Sequence, residues 1–288
     1  MTGEKLTETV VCREIEEADL PGVVACLARN FPRRTRAFWR GALARIGALA
    51  TKPRYGHLLQ ADGRIVGVLL EIRHASTLES APAPRCSLSS WGVDPEYRPF
   101  ALVLQRRATA DKATTYLNLT AAPHTFRANE AFGFRRYAEG TFVATPLASR
   151  AAPGARLVPF RPDTAEAAEL TPWERAMLAD HARLGLETWI GIGAGAATPF
   201  VVRLRPLWRH LIPSAQLIHA RSEAEVAAFA QPIGRRLAAL ARLRLFVSAS
   251  GPIAGLAGRY VAGRAPRYVR GPSPPAVTDM AYSELALL

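Results

Sequence analysis

Two apolar runs meet at Asp62-Gly63, and that junction constrains the fold more than any other short feature. Tyr55–Gln60 (Tyr-Gly-His-Leu-Leu-Gln) leads in, and Arg64–Ile72 (Arg-Ile-Val-Gly-Val-Leu-Leu-Glu-Ile) leads out. An Asp-Gly pair accepts the positive φ that a two-residue hairpin turn demands. The two runs are therefore predicted to pair antiparallel.

The segments around this hairpin alternate between strand and helix signals. Val11–Ile15 reads as a short strand. Asp19 is predicted to cap a helix with Pro21 in its first turn, and Leu20, Val23, Val24 and Leu27 share one face. Thr35 caps a second helix that runs to about Leu49, with Pro53 ending the region. After a Pro- and Ser-rich link come a strand at Cys86–Val93, a helix at Phe100–Ala110, a strand at Tyr116–Thr120, a short helix at Thr125–Phe132 stopped by Gly133, and a strand at Phe134–Thr145.

A punctuated stretch at Ser149–Gly154 marks a predicted boundary between residues 1–149 and 150–288. Beyond it, Thr171-Pro172-Trp173-Glu174 and Ser222-Glu223-Ala224-Glu225 are capping boxes. Strands are expected at about Leu186–Ile192, Pro199–Leu204, Ala215–Ala220 and Leu245–Ala249. The helix from Ser222 is expected to reach Leu243 with a kink at Pro232. Tyr260–Leu288 reads as extended segments around Gly271–Pro275. The halves share an order of elements without a residue-level repeat.

Composition narrows the function classes. Hydrophobic residues make up 49% of the 288, enough for a real core. No apolar run approaches the roughly 18 residues of a membrane span, and the first residues lack a signal-peptide pattern, so a cytoplasmic location is expected, with no membrane partner. Cys12, Cys26 and Cys86 fit neither a disulfide framework nor a zinc site; they read as reduced, buried thiols, with Cys86 a candidate nucleophile. Scattered histidines argue against a metal. The net charge of +13 divides into +6 for residues 1–146 and +7 for 147–288. Such a spread argues against a nucleic-acid arm and favours anionic partners: a nucleotide cofactor or an acidic carrier protein ahead of RNA.

Four stretches in order carry a resemblance. They are the opening helix with Asp19-Leu20, the hairpin Ala61–Gly67, Gly92-Val93-Asp94-Pro95-Glu96-Tyr97-Arg98, and Gly133-Phe134-Arg135-Arg136-Tyr137. Over about Cys12–Thr145 the chain resembles the GNAT superfamily of acyl-CoA-dependent N-acyltransferases, and the second half is similar in pattern. The resemblance implies an α/β fold with a mixed, mostly antiparallel sheet flanked by helices. It implies two such units, an acyltransferase at 1–149 and a degenerate one at 150–288.

It further implies transfer of an acyl group from acetyl-CoA or a longer acyl-CoA to an amine of a small molecule or protein. The strand at Trp91–Val93 would splay from its neighbour and bond the pantetheine arm. Arg98, Phe100, Ala101 and Leu102 would form the turn at the pyrophosphate, with helix N–H groups facing the anion. Here the sequence departs from the family. Ala101 and Val103 stand where glycine and glycine or alanine are expected, and Pro99 lacks a donor. Asn129 stands where many members carry a tyrosine acid, and Tyr137 is expected to pack on the sheet. These departures keep two alternatives beside the acyl-CoA reading: an acyl carrier protein as donor, which brings the arm without the adenosine end, and a non-catalytic binding module.

Glu71, near the end of a very apolar strand, and His124, in Ala122-Pro123-His124-Thr125, are the candidate bases. Pairing with Arg73 or Arg85 is the structural alternative for Glu71, and a backbone-bonded loop residue is that for His124. Ser89, Ser90 and Asn118 are polar residues on core strands that can line a pocket. Gly191-Ile192-Gly193-Ala194-Gly195 reads as a hairpin rather than a phosphate loop, and Arg33, Arg34, Arg36 and Arg40 as a solvated basic face.

Overall fold

The structure is a computed structural model that describes residues 9–49, 54–150, 152–193, 196–205 and 213–288. Pro53, Ala194 and Gly195 lie outside the described residues. The first half runs β1 (Val10–Glu14), α1 (Leu20–Asn30), α2 (Arg36–Gly47), β2 (Gly56–Ala61), β3 (Arg64–His74), β4 (Arg85–Val93), α3 (Ala101–Ala108), β5 (Thr115–Asn118), α4 (Phe126–Ala131) and β6 (Arg135–Ala144). The second runs β7 (Arg156–Pro159), α5 (Ala165–Ala168), α6 (Pro172–Arg183), β8 (Glu187–Ile192), β9 (Thr198–Leu204), β10 (Ser214–His219), α7 (Glu223–Ala228), α8 (Ala230–Ala239), β11 (Arg244–Ala249), β12 (Gly258–Arg270) and α9 (Glu284–Leu287).

Local chemistry explains most of these bounds. Asp62 and Gly63 take φ of 45° and 78° in the hairpin turn. Thr35 accepts the Phe38 N–H at 3.1 Å, and Thr171 and Glu174 close their capping box. Asp19 differs from expectation. Its carboxylate is held by Arg13 at 2.6 and 2.7 Å and accepts the Glu16 N–H, so it caps a 3₁₀ turn ahead of α1. The helix expected from Ser222 breaks at Phe229, between α7 and α8. Pro232 accounts for this, because its ring would meet the Ala228 carbonyl four residues back.

Among the described residues, twelve strands join one sheet in the order β1-β2-β3-β4-β5-β12-β6-β11-β10-β9-β8-β7. The order is the same read from either edge, with β6 and β12 as the central pair. Among the described residues, only β4–β5 and β10–β11 pair in parallel. The last strand of each half is exchanged: β12 lies between β5 and β6, and β6 pairs with β11. One face packs on α1, α2, α6 and the C-terminal segment, with Leu27, Trp39, Leu70 and Met177 in its core. The opposite face of the first half packs on α3 through Leu69, Leu88 and Leu104.

Each parallel pair opens into a gap. β4 and β5 are in register from Arg85–Thr115 to Ser87–Leu117 and then part. β10 and β11 part after Gln216–Phe246. In the second gap the C-terminal segment fills the space. Met280 N–H donates to Ile218 O, Ala220 N–H to Thr278 O, and the Ser248 hydroxyl reaches the Met280 sulfur. The first gap stays open.

Beside the filled gap, a cluster of imidazoles joins the halves. The Trp173 indole donates to His74 Nε2 at 3.2 Å, and Tyr282 stacks on His74 at 3.7 Å. His181 Nδ1 donates to Met177 O at 2.8 Å, and its Nε2 accepts the Tyr282 N–H at 3.3 Å. Both rings therefore accept an N–H at Nε2, which requires them neutral. Burial holds each at about 4, below the usual 6.5. The unfolded chain then binds more protons than the native one between pH 6.5 and 4, so stability is full above 6.5 and falls with pH through that window. Lowering the pH from 7 to 5 is expected to remove about 2 kcal/mol per imidazole. Denaturant unfolding at the two pH values checks this. An equal midpoint at both, or no change of slope in His181→Gln, would refute it.

Candidate active site

The open gap is the floor of a large cleft. β4 bulges at Ser90, which takes φ of 54°, so that Ser89 faces Leu70 and Gly92 faces Val68 with two residues between them. Beyond Ser87, the side of β4 that β5 has left lies open to the cleft. The cleft measures about 1220 Å³ and is lined by β4 from Leu88 to Val93, by Asn118, Thr120 and His124, and by Arg98, Ala101 and Gln105 of the α3 entry. On the other face it reaches Phe38 and Trp39 of α2, Arg203 of β9 and Arg205 just past its end, and Glu284, Leu285 and Leu288.

Several buried polar atoms face it without a partner among the described residues: Trp39 Nε1, Trp91 Nε1 and Gln105 Oε1. A native interior seldom leaves such groups unpaired, so they mark places for a ligand's donors and acceptors. Glu284 is 4% exposed at the apex of the gap. Its carboxylate accepts from the Ser87 hydroxyl on β4, from the Leu119 N–H at 3.2 Å and from the Thr120 hydroxyl at 3.1 Å. Burial nevertheless raises its carboxyl above the usual range.

The turn after β4 is less open. Residues Pro95–Phe100 form a 3₁₀ helix that runs into α3. Tyr97 N–H is spent on Asp94 O and Ala101 N–H on Arg98 O, while Pro95 and Pro99 have no N–H. Asp94 is buried against Arg29 at 2.8 Å and Asn30 at 2.9 Å. A notch of about 320 Å³ beside the turn is lined by Arg29, Arg64 and Arg98.

No protein-family model matches the chain, and no curated protein matches it. Solved structures do. A proposed acetyltransferase from Pyrococcus horikoshii is 15% identical with a TM-score of 0.57, over 98% of this chain and 96% of its own. A GCN5-related N-acetyltransferase from Anabaena variabilis is 10% identical with a TM-score of 0.58, over 91% and 72%. One from Kribbella flavida is 14% identical with a TM-score of 0.54, over 93% and 72%. The fold is the GNAT fold.

Within this GNAT fold, the sequence-predicted residues separate. Trp91, Val93, Arg98, Ala101 and His124 all line the cleft. Ala101 has φ of −55°, so it needs no glycine. Phe100 and Leu102 are not among the lining residues; with Val103 they are 40–50% exposed on the outside of the turn. Glu71 is not among them either. It lies beneath α3 with one oxygen 2.6 Å from His57 Nδ1 and the other 2.7 Å from Arg73 Nε. Asn129 is buried between Gln105 and Asn118, bonded to both amides. Tyr137 packs with Leu117 and Met280, and burial pushes its hydroxyl up. Burial also raises the Cys86 thiol far above its usual range, which leaves it protonated and a poor nucleophile.

Glu284, Arg203 and Arg205 were not foreseen from the sequence. The one signal for Glu284 is a single acid in the apolar tail Ala281–Leu288. Among the described residues, no helix is long and apolar enough to cross a membrane, and no three His, Cys, Asp or Glu side chains come together as a metal site.

Proposed function

We propose that the protein is an N-acyltransferase that takes an acyl group from a CoA thioester and passes it to an amine. The observation that carries this reading is the parting of β4 from β5 after Ser87–Leu117 into a cleft lined on both sides of the sheet. A pantetheine arm fits the open side of β4, with Trp91 and Gln105 offering the unpaired donor and acceptor such an amide chain needs. Arg98 stands at the end where a diphosphate would lie. An acyl thioester supplies an electrophilic carbonyl and a thiolate leaving group.

In this reading Glu284 takes a proton from the acceptor ammonium, freeing the lone pair that attacks the carbonyl. The Ser87 hydroxyl takes one acceptor direction of its second oxygen, which has another. Glu71 is less suited, since His57 and Arg73 hold both its oxygens. The C–S bond breaks as the amide forms, and the thiolate leaves toward the mouth. There exposed His124 can return a proton. Residues 1–149 and 150–288 are two copies of one unit, each closed by the other's last strand. The second has lost its cofactor gap to the segment at Met280.

Calorimetry with acetyl-CoA and longer acyl-CoA tests the donor. A hundredfold excess over the dissociation constant should stabilise the protein by about 2.7 kcal/mol. Arg98→Ala should weaken binding roughly tenfold, the worth of one charge-assisted hydrogen bond. Absence of any heat or melting shift at millimolar acyl-CoA counts against a CoA donor.

A second reading rests on the outside of the turn. Phe100, Leu102 and Val103 are exposed beside Arg98, Arg106 and Arg107. An apolar patch ringed by arginine suits an acidic carrier protein, which would present the same arm without the diphosphate. Acyl transfer from a carrier, weakened by salt and by Leu102→Ala, would favour it.

A further inference from the structure

The cleft has a cationic end on the face opposite α3. Arg203 lies near the end of β9 and Arg205 just past it, two residues on, and both line the cleft. Arg34 joins them in the lining. Among the described residues, neither Arg203 nor Arg205 is paired with a carboxylate. Arg203 donates to Leu285 O at 2.7 Å. The Arg205 guanidinium lies 4.7 Å from the Phe246 ring centre, and Arg264 lies 5.1 Å from the same ring. Arg205 makes no side-chain hydrogen bond among the described residues. Burial and the neighbouring guanidiniums lower both groups: Arg45, Arg34 and Arg205 act on Arg203, and Arg264 acts on Arg205.

Half-buried like charges without a counter-ion cost the fold stability. Arg203 has a structural use, since it holds a carbonyl of the C-terminal helix. Among the described residues, Arg205 has none of that kind. It lines the cleft, and its charge lies over the Phe246 ring, whose quadrupole offsets it in part. An anion entering the cleft would relieve this repulsion and gain charge-assisted hydrogen bonds. The place is also set relative to Glu284. Arg203 bonds the carbonyl of Leu285, the next residue, so the cationic end adjoins the carboxylate that would receive the amine proton. Phe38 and the Trp39 indole, whose N–H is unpartnered, form an apolar wall there.

We propose that the acceptor is bipolar: an amine joined by a short linker to a carboxylate or phosphate, with Arg203 and Arg205 holding the anion and Glu284 facing the amine. This rests on the acyl-transfer reading and names the class of acceptor that reading left open. It also orders the cleft, with the thioester arm entering beside Arg98 and the acceptor entering from the α2 face.

Acylation rates for matched amines test the proposal: 6-aminohexanoate against hexylamine, and 2-aminoethyl phosphate against ethanolamine. The native protein should favour the anionic member of at least one pair by tenfold or more in kcat/KM. The favoured pair shows whether a carboxylate or a phosphate is meant. That ratio should fall at least tenfold in Arg205→Gln, whose folding is checked by its melting curve. Arg203→Gln should lower it too. Equal rates within both pairs, or a ratio unchanged in Arg205→Gln, overturn the proposal while leaving acyl transfer intact. A preference for succinyl-CoA over butyryl-CoA that vanishes in Arg205→Gln places the anion on the donor and also overturns it. If no amine is acylated, acyl transfer fails, and calorimetry with 6-aminohexanoate and 2-aminoethyl phosphate decides the anion site by itself. Binding of either that weakens tenfold in Arg205→Gln supports the site, and binding that is absent or unchanged refutes it.

Discussion

Glu284→Gln is expected to lower kcat for amine acylation by roughly 10²- to 10³-fold, within the usual worth of general-base catalysis, and to leave acyl-CoA affinity unchanged. The substitution keeps the shape of the side chain. A glutamine oxygen can still accept from Leu119 N–H and Thr120, and its amide can donate to Ser87, whose hydroxyl can turn to accept. The fold should therefore survive, and only the capacity to take a proton is lost. A pH profile separates this from a structural effect. The carboxyl is raised by burial, so the native rate should climb with pH through a limb above the ordinary glutamate range. That limb should be absent in the variant. Unchanged kcat, or an identical limb in Glu284→Gln, would remove Glu284 from the mechanism and return attention to His124.

How far the sequence led can be read from particular residues. The Asp62-Gly63 turn and the caps at Thr35, Thr171 and Ser222 were legible because each is settled within four residues. The entry to α3 was legible in outline. Pro99 announced poor donors, and it lies inside the 3₁₀ helix from Pro95 to Phe100. Asp19 shows the limit of local rules, because the Arg13 guanidinium competes for its carboxylate and wins. The same limit hid Glu284. Its partners Ser87, Leu119 and Thr120 lie more than 160 residues away, and no periodicity in the tail points to them. Arg203 and Arg205 were hidden differently. A chain with 37 basic residues gives no sign of which arginines face a cleft. The exchange of β6 and β12 was invisible for the same reason: either strand would show the same pattern whichever partner it took.

That exchange has a consequence for the chain cut between its halves. Residues 1–149 expressed alone are expected not to fold cooperatively. Within that fragment β6 has no strand to pair with, since both its neighbours, β11 and β12, come from beyond residue 243. β5 keeps only its three-residue pairing with β4. The fragment would leave open sheet edges, which invite association with other chains. It would also lose Asp279 from Arg85 and Glu284 from Ser87, leaving buried polar groups uncovered. Residues 150–288 alone face the mirror problem, because β12 pairs only with β5 and β6. The two fragments produced together should assemble into a one-to-one complex, because the exchanged strands then find their partners. Size-exclusion chromatography and denaturant unfolding of each fragment and of the pair provide the check. A lone first fragment that runs as a compact monomer and unfolds in one sharp transition would mean that β6 can pair directly with β5. The exchange would then be a connection between two self-sufficient units rather than a condition for either.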